Sequence, residues 1–202
     1  MMTIPLLTKH NFLLFPQIRW ENRFRSDTFQ RCLVTVDGVD FHIPEPIPFS
    51  TEWYSHKFGG PGLRYELGVA VNTGDIVWFN GPFPAGSFPD LKIFRLKLRL
   101  QLSPGEKVIA DRGYRGDTKV CTPDNANNTA HGKAMNRARA RHETINRRLK
   151  AWRSLKQVFR HGRQKHHLVF QSIVVLTQIA MENGRAPFQV TTYRDPAYAQ
   201  VV

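Results

Sequence analysis

Three acidic residues are set where a metal-dependent nuclease needs them. Asp37 follows the apolar run Cys32-Leu-Val-Thr-Val36, Asp111 follows Val108-Ile-Ala110, and Glu143 lies inside a strongly basic stretch with helical spacing. Val, Ile and Thr favour strands, and a short apolar run that stops at an Asp reads as a buried strand delivering a carboxylate to its exposed end. Two such strands side by side converge two carboxylates. With a third nearby they form the oxygen ligand set that hard cations such as Mg²⁺ take, and phosphate substrates complete the coordination. The chemistry indicated is phosphodiester cleavage.

Each residue also has a plainer reading. Asp-Gly is a common turn pair, and Glu143 could be a solvated helix residue paired with Arg139 or Arg147, worth only about 0.3 to 0.5 kcal/mol. Asp40 competes with Asp37 as the first ligand, and Asp37 is preferred because it directly follows the strand. Asp90 reads as a helix cap rather than a ligand. His161, His166 and His167 have no partner cysteines and no ligand spacing, so they read as surface histidines.

The elements that must position these groups follow the hydrophobic pattern. Residues 1–30 read as a lead-in packed on the core. Strands are expected at Cys32–Val36 and around Phe41–Ile43, followed by a Pro-rich loop through Pro44, Pro46 and Pro48. Tyr65–Asn72 and Asp75–Asn80 flank Thr73-Gly74 as a hairpin. Asp90–Leu102 fits both alternation and helical spacing, and the preceding Gly-Ser-Phe-Pro favours helix. Lys107–Ala110 is the strand that leads into Asp111. Arg115–Gly132 is polar and turn-rich, with a short strand at Thr118–Thr122. Ile145, Leu149, Trp152, Leu155 and Phe159 recur every three or four residues and predict one helix over Lys133–Arg160. A last helix, Lys165–Asn183, is apolar on most sides and should be buried. This order predicts an α/β domain with a mixed sheet over residues 31–183 and a tail over 184–202.

The bulk properties agree with that reading. The chain has 202 residues, 41% of them hydrophobic, enough for one domain with a real core. Its net charge of +13 favours polyanionic partners, above all nucleic acid, through counterion release. Lys57, Arg112, Arg139, Arg147 and Lys150 are the candidates for gripping DNA phosphates. No apolar run reaches the eighteen residues of a membrane span, so no membrane partner is expected. Cys32 and Cys121 form no Cys-x-x-Cys pair, which argues against a disulfide framework or a zinc site.

Four segments together carry a resemblance: Val36-Asp-Gly-Val-Asp-Phe41, Gly81-Pro-Phe-Pro-Ala-Gly86 with Asp90-Leu-Lys-Ile-Phe94, Glu106-Lys-Val-Ile-Ala-Asp-Arg-Gly-Tyr-Arg-Gly116, and Arg141-His-Glu-Thr-Ile-Asn-Arg-Arg-Leu-Lys150. They resemble the DDE-superfamily transposase endonucleases of the PIF/Harbinger-like kind, from about Arg31 to Met181. The resemblance implies an RNase H-like fold in which antiparallel hairpin strands and parallel strands share one sheet flanked by helices. It implies Asp37, Asp111 and Glu143 as catalytic ligands of two Mg²⁺ or Mn²⁺ ions, with Asp37 bridging both. The activity implied is strand cutting at transposon ends and joining to target DNA.

Such transposases carry an end-recognition region ahead of the catalytic domain, and thirty residues cannot hold one. The chain is therefore expected to be truncated or domesticated, and a non-catalytic DNA-binding or interaction module stays open as the alternative. The resemblance also implies a homo-oligomer when active and an accessory DNA-binding protein as partner. The expected location is the nucleus in a eukaryotic host and the cytoplasm otherwise.

Overall fold

The computed structural model describes residues 17–24, 31–122 and 130–190. The apolar residues of the lead-in from Leu6 to Phe15, the turn-rich segment 123–129 and the tail beyond Val190 lie outside the described residues.

A single mixed sheet organises the chain. Its strands are β1 (Cys32–His42), β2 (Tyr54–Ser55), β3 (Gly60–Ala70), β4 (Ile76–Pro84), β5 (Lys107–Ile109) and β6 (Val120–Cys121). The path runs β2-β3-β1-β5-β6, with β4 also paired to β3. β1, β3 and β4 are antiparallel neighbours, whereas β5 and β6 run parallel to β1. The helices are α1 (Asp90–Leu96), α2 (Leu98–Gln101), α3 (Ala130–Ala151), α4 (Arg153–Lys156) and α5 (Arg163–Glu182). The result is an α/β fold of the RNase H-like kind.

Alternation along the strands sends apolar side chains to both faces. Val39, Phe41, Tyr65, Leu67 and Val69 pack against Ile145 and Leu149 of α3, Leu155 of α4 and Phe170 and Val174 of α5. On the opposite face Val34, Val36 and Trp78 meet Phe94 and Leu98 of α1 and α2, together with Trp20 and Tyr114. Both faces are covered, as a sheet with parallel strands requires. Of the lead-in, Trp20–Phe24 forms a 3-10 turn. There Arg23 makes a buried ion pair with Glu106 at 2.9 Å, its guanidinium lying between the rings of Trp20 and Phe24.

The structure departs from the sequence expectations in four places. β1 is one continuous strand, because β3 pairs with it from Val34↔Ala70 to His42↔Gly62. Asp37-Gly38 is therefore mid-strand rather than a turn. The helix expected over Asp90–Leu102 is broken at Lys97 (φ −139°, ψ −61°), with Leu98 and Leu102 buried and Leu96 and Leu100 exposed. The helix expected over Lys133–Arg160 starts at Ala130 and stops at Ala151, where an extended Trp152 turns the chain so that Leu155 and Phe159 reach the core. His166 is not a surface histidine. It is fully buried beside Tyr65, whose hydroxyl lies 2.8 Å from its Nδ1, and burial pushes its pKa down to about 4.

Candidate active site

The parallel pairing of β1 with β5 ends at Thr35↔Ile109. Asp37 and Asp111 each lie two residues past that last pair, and the period of two keeps both on the same face. The strand-end logic thus survives in altered form: Asp37 lies where β5 stops, although β1 itself continues. Asp111 caps the 3-10 turn Arg112–Tyr114, its Oδ1 accepting from Gly113 N at 2.8 Å.

α3 lies over this gap, and three contacts set its position. Arg141 is buried and its Nη2 donates to the carbonyls of Ala70 and Val71 at the end of β3. His142 Nδ1 lies 2.9 Å from Thr35 Oγ1, and Asn146 Nδ2 donates to Asp37 Oδ2 at 2.9 Å. Since Thr35 Oγ1 already donates to Val69 O, the imidazole Nδ1 is the donor in the His142–Thr35 pair. Arg139, His142, Glu143 and Asn146 are spaced as one helical face. That face brings Glu143 to the two aspartates: one small recess is lined by Thr35, Val36, Asp37, Asp111, Arg139, His142 and Glu143.

The electrostatics follow from this assembly. Burial pushes the pKa of the Asp37 carboxyl up and the negative charge of Asp111 adds to the rise, while Lys57, the Gly38 amide and Arg139 oppose it. Burial pushes the His142 pKa down to about 4, so its imidazole is neutral at pH 7. Asp40 has a different environment. Arg64 grips both of its oxygens at 2.7 and 2.8 Å, and Ser55 Oγ donates to Oδ2 at 2.5 Å. Those contacts hold its carboxyl below the usual carboxylate range in spite of burial. Asp40 lies on the opposite face of β1 from Asp37 and does not line the recess.

The candidate phosphate-binding residues divide in two. Lys57 donates to the carbonyl of Gly38, next to Asp37, Arg112 directly follows Asp111, and Arg139 lines the recess. Arg147 is exposed and donates to Thr144, and Lys150 lies 6.0 Å from the Phe41 ring, towards the far end of β1. Sequence reasoning missed His142 and Asn146, although their i, i+3, i+4, i+7 spacing with Arg139 and Glu143 places all four on one face. Asp90 is no side-chain cap: it is the first residue of α1, and its carboxylate lies against Gly38.

The donor set suits a hard divalent cation. It consists of carboxylate oxygens only, and like charges at Asp37 and Asp111 repel until a cation is present. Among the described residues no three His, Cys, Asp or Glu side chains already close around one point.

The comparisons with known proteins agree with the geometry. The chain is 27% identical over 151 residues to the probable transposase for insertion sequence element IS702 of Microchaete diplosiphon, covering 69% of this chain and 54% of that one. It thus spans about half the length of that curated relative. No solved structure matches. Residues 36–178, which include Asp37, Asp111 and Glu143, match the family described as DDE superfamily endonuclease, and the chain belongs to that family.

Proposed function

We propose that this chain is the catalytic core of a transposon-derived DNA endonuclease and strand-transferase, with Asp37, Asp111 and Glu143 holding two Mg²⁺ or Mn²⁺ ions. The observation that carries this reading is the single recess walled by all three carboxylates, drawn from β1, the end of β5 and α3. When bound, such ions activate a water or 3′ hydroxyl and neutralise charge on the phosphate and its leaving oxygen. The protein's own groups do the positioning. Asn146 orients the Asp37 carboxylate, Gly113 N orients Asp111, and the Arg139 guanidinium supplies fixed positive charge at the rim. Arg112, Arg147 and Lys150 would hold flanking phosphates without reading sequence. Transposon ends and target DNA are the assigned substrates, with end recognition supplied by an accessory DNA-binding protein and the active form a homo-oligomer.

One observation favours the alternative, a binding module without catalysis: Asp37 Oδ2 is engaged by Asn146, and among the described residues no three ligands already converge. Nicking of supercoiled plasmid separates the two readings. With Mg²⁺ or Mn²⁺ the chain should nick DNA, EDTA should stop it, and Asp37→Asn, Asp111→Asn and Glu143→Gln should each lower the rate by at least about 10³-fold while leaving DNA affinity largely intact. Activity that survives any one of these substitutions overturns the triad. DNA binding without nicking by the unmodified chain supports the binding module.

A further inference from the structure

Behind Asp37, on the other face of β1, a closed ring of polar contacts ends on a lysine. Lys57 N donates to Ser55 Oγ at 3.2 Å, and Ser55 Oγ donates to Asp40 Oδ2 at 2.5 Å. Arg64 grips Asp40 with two donors and reaches Asp90 Oδ1 with Nη1 at 3.4 Å. Asp90 Oδ2 lies 3.7 Å from Lys57 Nζ, which closes the ring. Ser55, Asp40, Arg64 and Asp90 are all buried, whereas the Lys57 side chain is 40% exposed.

Two features tie the ring to the strand that carries Asp37. Lys57 Nζ donates to the carbonyl of Gly38, the residue after Asp37. A Cβ on Gly38 would lie 1.9 Å from Asp90 Oδ1, so β1 carries a glycine at the point where Asp90 closes on it. Burying three charged side chains costs desolvation that a merely structural contact does not need, because well-packed apolar groups would stabilise as much or more. An ammonium has three donors, and Gly38 O and Asp90 account for two. The remaining donor sits on a side chain that is 40% exposed, and the ammonium acts on the Asp37 carboxylate as the Arg139 guanidinium on α3 does.

We propose that Lys57 is a catalytic residue that contacts the phosphate being cleaved, and that Ser55 and Asp90 are positioning residues that aim it. This rests on the nuclease reading of the recess. Lys57 and Arg139 would then approach one phosphate from different elements, the hairpin of β2 and β3 supplying the first and α3 the second.

The test has one arm that does not depend on activity. Binding of a short DNA duplex in EDTA is measured across salt concentrations for the full chain and for Lys57→Ala. Loss of one phosphate contact lowers the log-log salt slope by about 0.9. In Mg²⁺, Lys57→Ala should lower kcat about 10²-fold, the scale expected for removing one preorganised donor. Asp90→Asn removes a negative charge beside DNA, so it should bind duplex at least as tightly yet cut more slowly. Neither Asp90→Asn nor Ser55→Ala should slow cutting further in a Lys57→Ala background. Melting temperatures of the variants identify any that fail to fold, and Lys57→Ala, changing a part-exposed residue, is the arm that keeps the test decisive. An unchanged salt slope in Lys57→Ala overturns the contact. Full additivity of Ser55→Ala with Lys57→Ala overturns the positioning. If the unmodified chain cuts no DNA, the nuclease reading fails, while a reduced slope in Lys57→Ala still supports the phosphate contact.

Discussion

Glu66 is wholly buried on β3, with Trp78 Nε1 donating to Oε1 at 2.8 Å and, among the described residues, no partner at Oε2. Burial raises its pKa from the ordinary 4.5 to about 8. Between those values the folded protein binds a proton that the unfolded chain has lost, so stability falls as pH rises and levels off above about 8. His142 and His166 act in the opposite sense. Their folded values of about 4 lie below the ordinary 6.5, so their contribution is lost as pH falls through that range. The histidine contribution fades about one unit above 6.5, so from about pH 7.5 to 8 Glu66 governs the profile. Urea unfolding there should show stability falling by up to about 1.4 kcal/mol per pH unit, and Glu66→Gln should flatten the profile. A slope unchanged in Glu66→Gln would place the titrating group elsewhere. At this scale the sequence was informative about residue type and about what precedes each residue. Asp37, Asp111 and Glu143 could be picked out by apolar runs and by a lone acid among arginines. Glu66 could not, since its burial depends on Trp78 across the hairpin and on α1.

β1 and α1 approach each other so closely at Gly38 and Asp90 that the contact tests the packing of the two elements. Gly38→Ala forces Asp90 or the start of α1 to move, and overpacking of this kind costs roughly 1 to 3 kcal/mol. Denaturant unfolding should show that loss, and Asp90→Ala in the same chain should recover part of it. Additive losses would mean that the strain lies elsewhere. The elements themselves were largely legible: the hairpin with Gly74 at positive φ (83°), the strand before Asp111 and both long helices follow from pattern and turn chemistry. What the pattern misplaced were interruptions. An Asp-Gly pair reads locally as a turn, yet β3 runs alongside and keeps β1 extended. The 3.6 period continues through Trp152, and only the need of Leu155 and Phe159 to reach the core reveals the break there.

Across the whole molecule, distant segments are joined by buried charge. Arg23 and Glu106 are each almost inaccessible and lie 83 positions apart. Removing one member of such a pair leaves the other charge buried alone, so Arg23→Ala should cost about 3 to 5 kcal/mol in urea unfolding. The double change Arg23→Leu with Glu106→Leu should recover much of it. A single-variant loss below about 1 kcal/mol would show that Glu106 finds water instead. No sequence pattern foretells this pairing, because composition registers that charges exist but not which of them meet inside. The same separation governs the recess. Asn146 reaches Asp37 across 109 positions, and the three carboxylates come from a central strand, a loop after a neighbouring strand and a helix. α3 supplies both a carboxylate and, through Ile145 and Leu149, part of the floor under the sheet. A lesion that removes this helix therefore takes the candidate ligand and the hydrophobic support together. Truncation within α3 thus costs the domain its fold, whereas exchange of the Glu143 side chain alone leaves that scaffold standing.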